Sequence, residues 1–423
     1  KLGIDLKSQM ADLSSNGEIE KRILRAGIIG SGAMGLEHIR NISLIDGMIV
    51  TAVADTDERA RQEAKDLLPG GSVAFVVDYR DMIVMDSVDI LIVATPNNTH
   101  IDLFRNIIAS GKHILAEKPM CTTVEDCLET ECLVKQHMPP GSGLVFWVGM
   151  EYRFMPPISG LLEHVDTGKI GRPIMVHIRE HRFPFLVKVG DWNRFSAATG
   201  GTLVEKCCHF WDLMLRIISR GDKNFELDPD AVKVFATGDI SVNHINEGYE
   251  RDGVQVKPDI IDNAYVAVDF GNGMRGCLDL CMFAEERQRE EILVVGDKGK
   301  VTATAPDCTL TLHTPQETQP SRVPPPPGQY ESNTVSEVTH VPEALLDAGF
   351  HEGATYFELT AFTKAIRDSA LPTVDAHDGT AAVALGVAAE RSIREGRLVI
   401  LNEVYESIKS GITPLEPMAL VSQ

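Results

Sequence analysis

The feature that most constrains this chain is a glycine-rich turn between an apolar run and a helical stretch. The run LRAGIIG leads directly into Gly30-Ser31-Gly32-Ala33-Met34-Gly35, which has the spacing G-x-G-x-x-G. At this spacing the first glycine permits a tight turn, the second lets the backbone approach a pyrophosphate, and the third lets the helix pack closely on the strand. The turn therefore predicts a dinucleotide site, and an incidental glycine-rich loop is the alternative.

A carboxylate in the expected place extends this prediction to the identity of the cofactor. Asp55 follows Gly35 by 20 residues and ends the next apolar run, MIVTAVAD. A carboxylate at that point accepts hydrogen bonds from both ribose hydroxyls and repels a 2′-phosphate, and the adjacent Thr56 offers no cation to bind one. We therefore expect the cofactor to be NAD rather than NADP.

The order of apolar runs predicts two α/β domains. Over residues 23–148, strand-length runs alternate with helical stretches, which is the pattern of a doubly wound parallel sheet. After Glu151 strand-like runs follow one another with few helices between them, which indicates a large, open, mostly antiparallel sheet. We assign residues 1–20 to an N-terminal arm, 21–150 to a dinucleotide-binding Rossmann domain, 151–400 to a second α/β domain, and 401–423 to a C-terminal tail.

Composition excludes several classes of partner. The chain has 40 basic and 61 acidic residues, and its net charge of −21 would repel nucleic acid and anionic membranes. No apolar stretch approaches the length of a membrane span, so we expect a cytoplasmic protein. Because no two of the eight cysteines have the CxxC spacing, we expect free thiols and no metal site.

Two further strand ends carry polar residues to the edge where such sheets bind ligands. The fourth strand is followed by ATPNNTH and the fifth by Glu117-Lys118-Pro119. Lys118 would lie beside the nicotinamide and exchange a proton with a substrate hydroxyl, and an ordinary surface lysine is the alternative. The predicted cofactor-binding residues are Gly30, Ser31, Gly32, Ala33, Met34, Gly35, Asp55, Thr95, Pro96, Asn97, His100, Glu117 and Lys118.

A second candidate catalytic segment is GGTLVEKCCHFWD, at residues 200–212. Its glycines predict entry into a helix on which Glu205, His209 and Asp212 share one face. A histidine between two carboxylates suits proton transfer, with one carboxylate orienting the ring. A satisfied core histidine is the alternative.

Together these segments resemble the glucose-fructose oxidoreductase, inositol dehydrogenase and rhizopine catabolism family, written Gfo/Idh/MocA. The resemblance covers residues 23–400 and includes AEKP, GMEYRF and the segment at 200–212. It implies a substrate-binding and oligomerisation role for the second domain, a homodimer or homotetramer, and hydride transfer from a sugar or cyclitol. It also implies that Lys118 and His209 transfer protons and that Glu205 stands where the family usually has Asp.

Cationic and aromatic residues precede this segment and suggest a substrate with an anionic group, while a solvated face or a subunit contact is the alternative. This cationic cluster consists of His177, Arg179, His181, Arg182, Lys188 and Arg194, with Trp192 among them. Guanidinium groups pair with carboxylate, sulfonate or phosphate and an indole stacks on a sugar ring, although alternation along a strand turns about half of such residues away. The predicted substrate-binding residues are Tyr152, Arg153, His181, Arg182, Trp192, Arg194, Glu205, Lys206 and His209.

Three functions fit these patterns. The first is an NAD-dependent dehydrogenase acting on a sugar or cyclitol hydroxyl. The second is an NAD-dependent glycoside hydrolase, resembling sulfoquinovosidases, that oxidises C3 transiently, eliminates the substituent, adds water and returns the hydride. Such a hydrolase needs one more acid or base, for which Glu205, His181 or His351 are candidates. The third is a non-enzymatic NAD-binding regulator, which the intact proton-transfer residues disfavour.

Overall fold

The computed structural model describes residues 22–69, 72–251, 253–284, 287–315, 332–349 and 351–409. The predicted arm at 1–20 lies outside these ranges. Of the predicted tail, only residues 401–409 are described, and they include a helix.

The first half of the chain forms a six-stranded parallel sheet in the order β3-β2-β1-β4-β5-β6. Its strands are β1 (Leu24–Ile29), β2 (Met48–Ala54), β3 (Ala74–Val76), β4 (Ile90–Val93), β5 (His113–Glu117) and β6 (Phe146–Gly149). Their side chains are mostly buried, as expected of strands covered on both faces. The strand order reverses between β1 and β4, and ligands of such sheets bind at this switch point. The predicted Rossmann fold is confirmed.

Five helices connect these strands, and three of them have side-chain N-caps. They are α1 (Ala33–Ile42), α2 (Glu58–Leu67), α3 (Tyr79–Ile83), α4 (His100–Ile107) and α5 (Val124–His137). The caps are Asp57, Asp78 and Thr123, each of which accepts a hydrogen bond from a first-turn amide. By contrast α1 begins at Gly32 without a side-chain cap, so its N-terminal amides are left to bind a ligand.

The second half forms a nine-stranded sheet in the order β16-β15-β14-β13-β7-β12-β11-β8-β17, beside a small β9–β10 hairpin. Within the described strands of this sheet, only β7 and β12 pair in parallel. The mostly antiparallel sheet predicted from the sequence is confirmed. The strands are β7 (Pro173–His181), β8 (Lys233–Asp239), β9 (Tyr249–Arg251), β10 (Val254–Val256), β11 (Asn263–Asp269), β12 (Arg275–Cys281), β13 (Arg289–Gly296), β14 (Lys300–Ala305), β15 (Thr309–Pro315), β16 (Ser332–Val338) and β17 (Val399–Ile400).

Helices pack against this sheet and also join it to the first one. They are α6 (Pro156–Asp166), α7 (Ser196–Thr199), α8 (Thr202–Glu205), α9 (Cys208–Ser219), α10 (Glu343–Ala348), α11 (Ala354–Asp368), α12 (Ala376–Glu395) and α13 (Asn402–Lys409). The longest, α12, begins with a capping box between Asp375 and Asp378. It contacts α5 and β6 of the first half and α9 and β8 of the second, so it ties the two halves together. Among the described helices, none is both long and apolar enough to cross a membrane.

We predict that Asp89, which precedes β4, stabilises the first sheet as a carboxylate. It accepts hydrogen bonds from the Arg25 backbone N, Nε and Nη2 at 2.8–3.0 Å and from Arg22 Nη2 at 2.8 Å. Asp89→Asn should therefore lower the free energy of unfolding by about 1–3 kcal/mol, measured by urea and thermal unfolding. Glu63→Gln, which breaks only an exposed pair with Arg59, should cost less than about 0.5 kcal/mol.

The sign of the pH dependence follows from the same contacts. Hydrogen bonds from Arg25 lower the pKa of Asp89 from 3.8 to about 2, so the ionised carboxylate stabilises the fold fully above pH 3.8. That contribution is lost as the pH falls through about 2. A difference in stability between Asp89→Asn and the parent that stayed constant between about pH 5 and pH 1 would contradict this account.

Candidate active site

The backbone of the glycine-rich turn is closely packed at its first and third glycines and open at the second. Gly30 has φ +90°, and a Cβ there would lie 2.6 Å from the Ala94 carbonyl oxygen. A Cβ on Gly35 would overlap the carbonyl oxygen of Gly30, so this glycine lets α1 pack on β1. By contrast, a Cβ on Gly32 would meet no atom within 4 Å. The open space over Gly32, at the uncapped end of α1, fits a bound pyrophosphate.

Asp55 lies beside this turn. Its Oδ2 accepts hydrogen bonds from the Ser31 backbone N at 2.7 Å and Ser31 Oγ at 3.1 Å, and its Oδ1 accepts from the Asp57 backbone N at 2.9 Å. The side chain is partly exposed, which leaves lone pairs for ribose hydroxyls. Arg61, which the sequence analysis missed, donates from Nη1 to the Asp55 carbonyl oxygen at 2.6 Å. A cation is therefore present near the acid after all.

The segment after β4 contains two buried polar side chains, Asn97 and His100, with different roles. Asn97 is 6% exposed, and its Nδ2 has no hydrogen-bond partner among the described residues, as expected of a group that awaits a ligand. His100 is fully buried and lies within 3.1 Å of the carbonyl oxygens of Thr95, Pro119 and Met120. His100 therefore braces the loop after β4 against the loop after β5.

The loop after β5 places Lys118 among acidic groups. Glu117 is 5% exposed and pairs through Oε1 with His38 Nε2 at 2.7 Å, while its Oε2 accepts from the Lys118 backbone N at 3.2 Å. Burial alone would lower the pKa of Lys118, but nearby Cys208, Glu205 and Glu117 raise it. Lys118 is therefore an ammonium group near neutral pH.

The predicted helix at residues 200–212 is broken in the structure. α8 ends at Glu205 and α9 begins at Cys208. The Leu203 carbonyl oxygen accepts a hydrogen bond from Trp211 Nε1 at 2.7 Å, which substitutes for the bond that a continuous helix would make there. This tertiary contact could not be read from local spacing.

His209 is not oriented by a carboxylate, so that expectation is wrong. Its ring stacks on Tyr152, with centroids 3.9 Å apart and planes inclined by 4°, and its Nδ1 has no hydrogen-bond partner within the described residues. Burial and the cations of Lys118 and His351 lower the pKa of His209 well below 6.5. The imidazole is therefore neutral near neutral pH and able to accept a proton.

The two flanking carboxylates bind other partners. Asp212 pairs with Arg153, whose Nε donates to Oδ2 at 2.6 Å, and Arg153 Nη1 donates to the Thr373 carbonyl oxygen at 3.1 Å. Arg153 is 5% exposed and engaged in this way, so the structure does not place it as a substrate contact. Glu205 Oε1 lies 2.9 Å from Lys206 Nζ. Burial would raise the pKa of Glu205, but Lys206 and Lys118 lower it, so Glu205 is ionised.

The cationic cluster divides between the two faces of β7. His181 lies on the face opposite Glu180, with Nε2 3.1 Å from Asp279 Oδ1, which directs it away from His209. The structure therefore does not place His181 as a substrate contact, contrary to the prediction. Arg182, just beyond the strand, donates from Nη1 to Glu180 Oε1 at 3.0 Å, and its buried Nε has no partner in the described part of the chain.

The segment after β7 carries Lys188, which belongs to the cationic cluster but is not among the predicted substrate-binding residues. Lys188 is half-buried, and burial lowers its pKa. Glu205 is the carboxylate that opposes this effect most strongly. Arg194 is 4% exposed and donates to the carbonyl oxygens of Leu186 and Phe185 at 3.2 Å, so it holds this segment rather than a ligand. Trp192 is half-buried.

A buried acidic cluster also adjoins the site. Thr355 Oγ1 lies 2.8 Å from Glu37 Oε1 and 2.7 Å from Glu151 Oε2, and His351 Nδ1 lies 3.2 Å from Glu37 and 3.4 Å from Glu151. The side chains of Glu37, Glu151 and His351 are close enough to one another to hold a metal ion. Although burial opposes it, Glu151 and Glu37 raise the pKa of His351 to about 9, so the imidazolium supplies the compensating charge.

The glycine-rich turn and the two-sheet fold define a dinucleotide-binding oxidoreductase class. Residues 24–138 match the "Oxidoreductase family, NAD-binding Rossmann fold", and residues 163–401 match the "Oxidoreductase family, C-terminal alpha/beta domain". The chain belongs to this Gfo/Idh/MocA oxidoreductase family.

Named relatives are distant but match nearly the whole chain. A myo-inositol 2-dehydrogenase of Thermotoga maritima is 27% identical over 90% of this chain and 99% of its own length. The scyllo-inositol 2-dehydrogenase (NAD(+)) of Bacillus subtilis is 24% identical over 90% and 96%. A levoglucosan dehydrogenase, solved with NADH and levoglucosan, shares the fold with a TM-score of 0.70 at 19% identity, over 89% of this chain and 99% of its own.

We predict that Gly32→Val weakens dinucleotide binding without unfolding the protein. Gly32 has φ −71° and ψ −161°, which any residue adopts, and the added atoms would enter only the open space over the turn. The affinity for NAD, measured by calorimetry, should fall at least about tenfold, while the melting temperature stays close to that of the parent. Gly35→Ala is the contrasting variant, because its Cβ overlaps backbone and should lower the melting temperature. Unchanged NAD affinity in Gly32→Val would contradict this placement.

Proposed function

We propose that the protein is an NAD-dependent dehydrogenase that oxidises a hydroxyl-bearing carbon of a sugar or cyclitol. The observation that carries the proposal is the buried His209, whose pKa is lowered by burial and by the nearby ammonium group of Lys118. Lys118 follows β5 at the carboxyl edge of the sheet that holds the glycine-rich turn. The inositol dehydrogenases among its relatives support the substrate class.

The roles of the side chains follow from their charge states. Bound NAD would supply the hydride acceptor. The neutral imidazole of His209 accepts the proton of the substrate hydroxyl, while Lys118 donates a hydrogen bond to the same oxygen and stabilises its developing negative charge. The ring of Tyr152 fixes the plane of His209, and the ionised Glu205 pairs with the ammonium group of Lys206.

The preference for NAD over NADP is part of the proposal. The Asp55 carboxylate, already bonded to Ser31, disfavours a 2′-phosphate by charge repulsion. Arg61 acts in the opposite direction but is bonded to the Asp55 carbonyl oxygen.

One observation favours a redox-assisted glycoside hydrolase as the second candidate. Glu290 lies directly opposite Glu180 in the β7–β13 register, and burial and the Glu180 charge raise its pKa to about 8. It is therefore a protonated carboxyl group near neutral pH, and its Oε1 lies 3.2 Å from the hydroxyl of Tyr152. Such a group could protonate a departing glycosidic oxygen. Of the earlier candidates, Glu205 is ionised, His181 faces away, and His351 pairs with Glu37 and Glu151.

We predict that Lys118→Met and His209→Asn each lower kcat by about 10²- to 10⁴-fold, because each removes a group that acts on the reacting oxygen. NADH formation would be measured with sugars and inositols, and NAD affinity by calorimetry. The affinity should be nearly unchanged. Lys135→Met and His137→Asn, both exposed on α5, are matched controls that should keep full activity.

Either variant retaining parental activity would refute the assignment of its residue. The substrate panel also separates the two candidate functions, since a dehydrogenase accumulates NADH with a free sugar or cyclitol. Cleavage of an aryl glycoside that requires NAD but accumulates no NADH would replace the dehydrogenase by the hydrolase.

We also predict that kcat measured with a saturating neutral sugar or cyclitol stays flat as the pH falls from 8 to 6. His209 must be neutral to act as a base, and its pKa is held well below 6.5 by burial and by four nearby cations, Lys118, His351, Lys206 and Arg182. An ordinary histidine would lose most of its base form over this range. A fall in kcat with an apparent pKa near 6.5 would show that the histidine is not held neutral.

A further inference from the structure

The segment between β7 and α7 inverts the usual relation between side-chain chemistry and burial. Lys188 is half-buried, whereas its neighbours Val187 and Val189 are 82% and 72% exposed. A chain normally buries the valines and exposes the lysine. The inversion indicates that the inward position of Lys188 serves a purpose other than stability.

The surrounding residues hold the segment in this conformation. Asn193 Nδ2 donates to the Leu186 carbonyl oxygen at 2.9 Å, and Arg194 donates to the same oxygen and to that of Phe185. Asn193 is fully buried. The ring of Phe185 lies 6.0 Å from both the Arg194 guanidinium and Lys206 Nζ, so the segment is packed directly against the site.

The cations gathered here exceed the anions available to them. Glu205 faces Lys118, Lys188 and Lys206, but only Lys206 is within ion-pair distance of it. Two other carboxylates act on Lys118, and both have their own histidine partners, since Glu117 pairs with His38 and Glu151 with His351. Lys188 has no ion pair within the described residues.

Arg182 is a fourth cation in this group, and one of its buried donors has no described hydrogen-bond partner. It binds Glu180 through Nη1, its side chain is 11% exposed, and its buried Nε has no described partner. Placing several cations around one or two carboxylates costs free energy unless another anion offsets the charge. Among the described residues, Arg182 pairs only with Glu180, Lys206 only with Glu205, and no carboxylate forms an ion pair with Lys188.

We propose that Arg182, Lys188 and Lys206 form an anion clamp, which binds a carboxylate, sulfonate or phosphate group on the sugar or cyclitol substrate. This inference rests on the proposed function, which supplies the sugar or cyclitol ring that carries the anionic group. Lys118 is not part of the clamp, because it faces the reacting hydroxyl. Arg194, expected from the sequence to bind the anion, instead holds the segment that carries Lys188.

The test uses matched pairs of ligands that differ only in charge. The NAD-loaded protein is offered D-glucose, D-glucuronate, D-glucose 6-phosphate and 6-deoxy-6-sulfo-D-glucose, with myo-inositol and myo-inositol 1-phosphate, both as free compounds and, for the sugars, as aryl glycosides. Binding is measured by calorimetry and turnover by NADH formation or glycoside cleavage. We expect an anionic member to bind at least about tenfold more tightly than its neutral counterpart, and the best anionic group identifies the ligand chemistry.

Lys188→Met should lower the affinity and kcat/KM for that anionic ligand by about 10- to 100-fold, the value of one charge-assisted hydrogen bond. It should change the values for the neutral counterpart by less than about threefold. Lys188→Arg should restore most of the anionic preference, and Lys135→Met, an exposed control, should leave it intact.

Equal losses for charged and neutral ligands in Lys188→Met would overturn the clamp, as would a parent protein that prefers the neutral member of every pair. Failure of the proposed function gives a different result. In that case anionic ligands still bind in a Lys188-dependent manner, but no member of the panel yields NADH or a cleaved glycoside.

Discussion

The structure depends on pairing ionisable groups that are buried where the carboxyl edge of the first sheet meets the second. Glu37, His38, Glu117 and Glu151 are each no more than 5% exposed. A buried charge without a partner costs several kcal/mol, so each of these groups needs an opposite charge close to it. His38 pairs with Glu117 inside the Rossmann half, while His351 bridges Glu37 on α1 and Glu151 after β6. These pairs hold α1 and the β5 loop in one position relative to the second half.

The sequence predicts the parts of this arrangement that local pattern determines. The glycine spacing, the alternation of strands and helices and the position of Asp55 depend on contacts close in the chain, and the structure agrees with them. Strand alternation likewise predicts that about half of the cationic cluster faces away from the candidate site, as His181 does. The partner of each buried charge depends instead on residues far away in sequence. Arg153 and Asp212, 59 residues apart, satisfy each other, and no local spacing indicates that pairing.

The broken helix at residues 206–207 illustrates the same limit at the candidate site. Helical spacing placed Glu205, His209 and Asp212 on one face, which was reasonable for a continuous helix. In the structure the Trp211 indole donates a hydrogen bond to the Leu203 carbonyl oxygen. Glu205 pairs with Lys206, and Asp212 pairs with Arg153. The orientation of Lys188 has a comparable origin, because it is set by hydrogen bonds from Asn193 and Arg194 to a segment without regular structure.

The charge around His209 connects substrate recognition to proton transfer. Burial and four cations lower the pKa of His209, and two of them, Lys206 and Arg182, belong to the anion clamp. A neutral substrate would leave these charges in place, so the imidazole would remain a weak base. An anion bound in the clamp would offset them and raise the pKa of His209 towards neutral pH, where a general base is most effective. A substrate with the right charge would therefore strengthen the base that acts on its own hydroxyl, while a neutral analogue of the same shape would not.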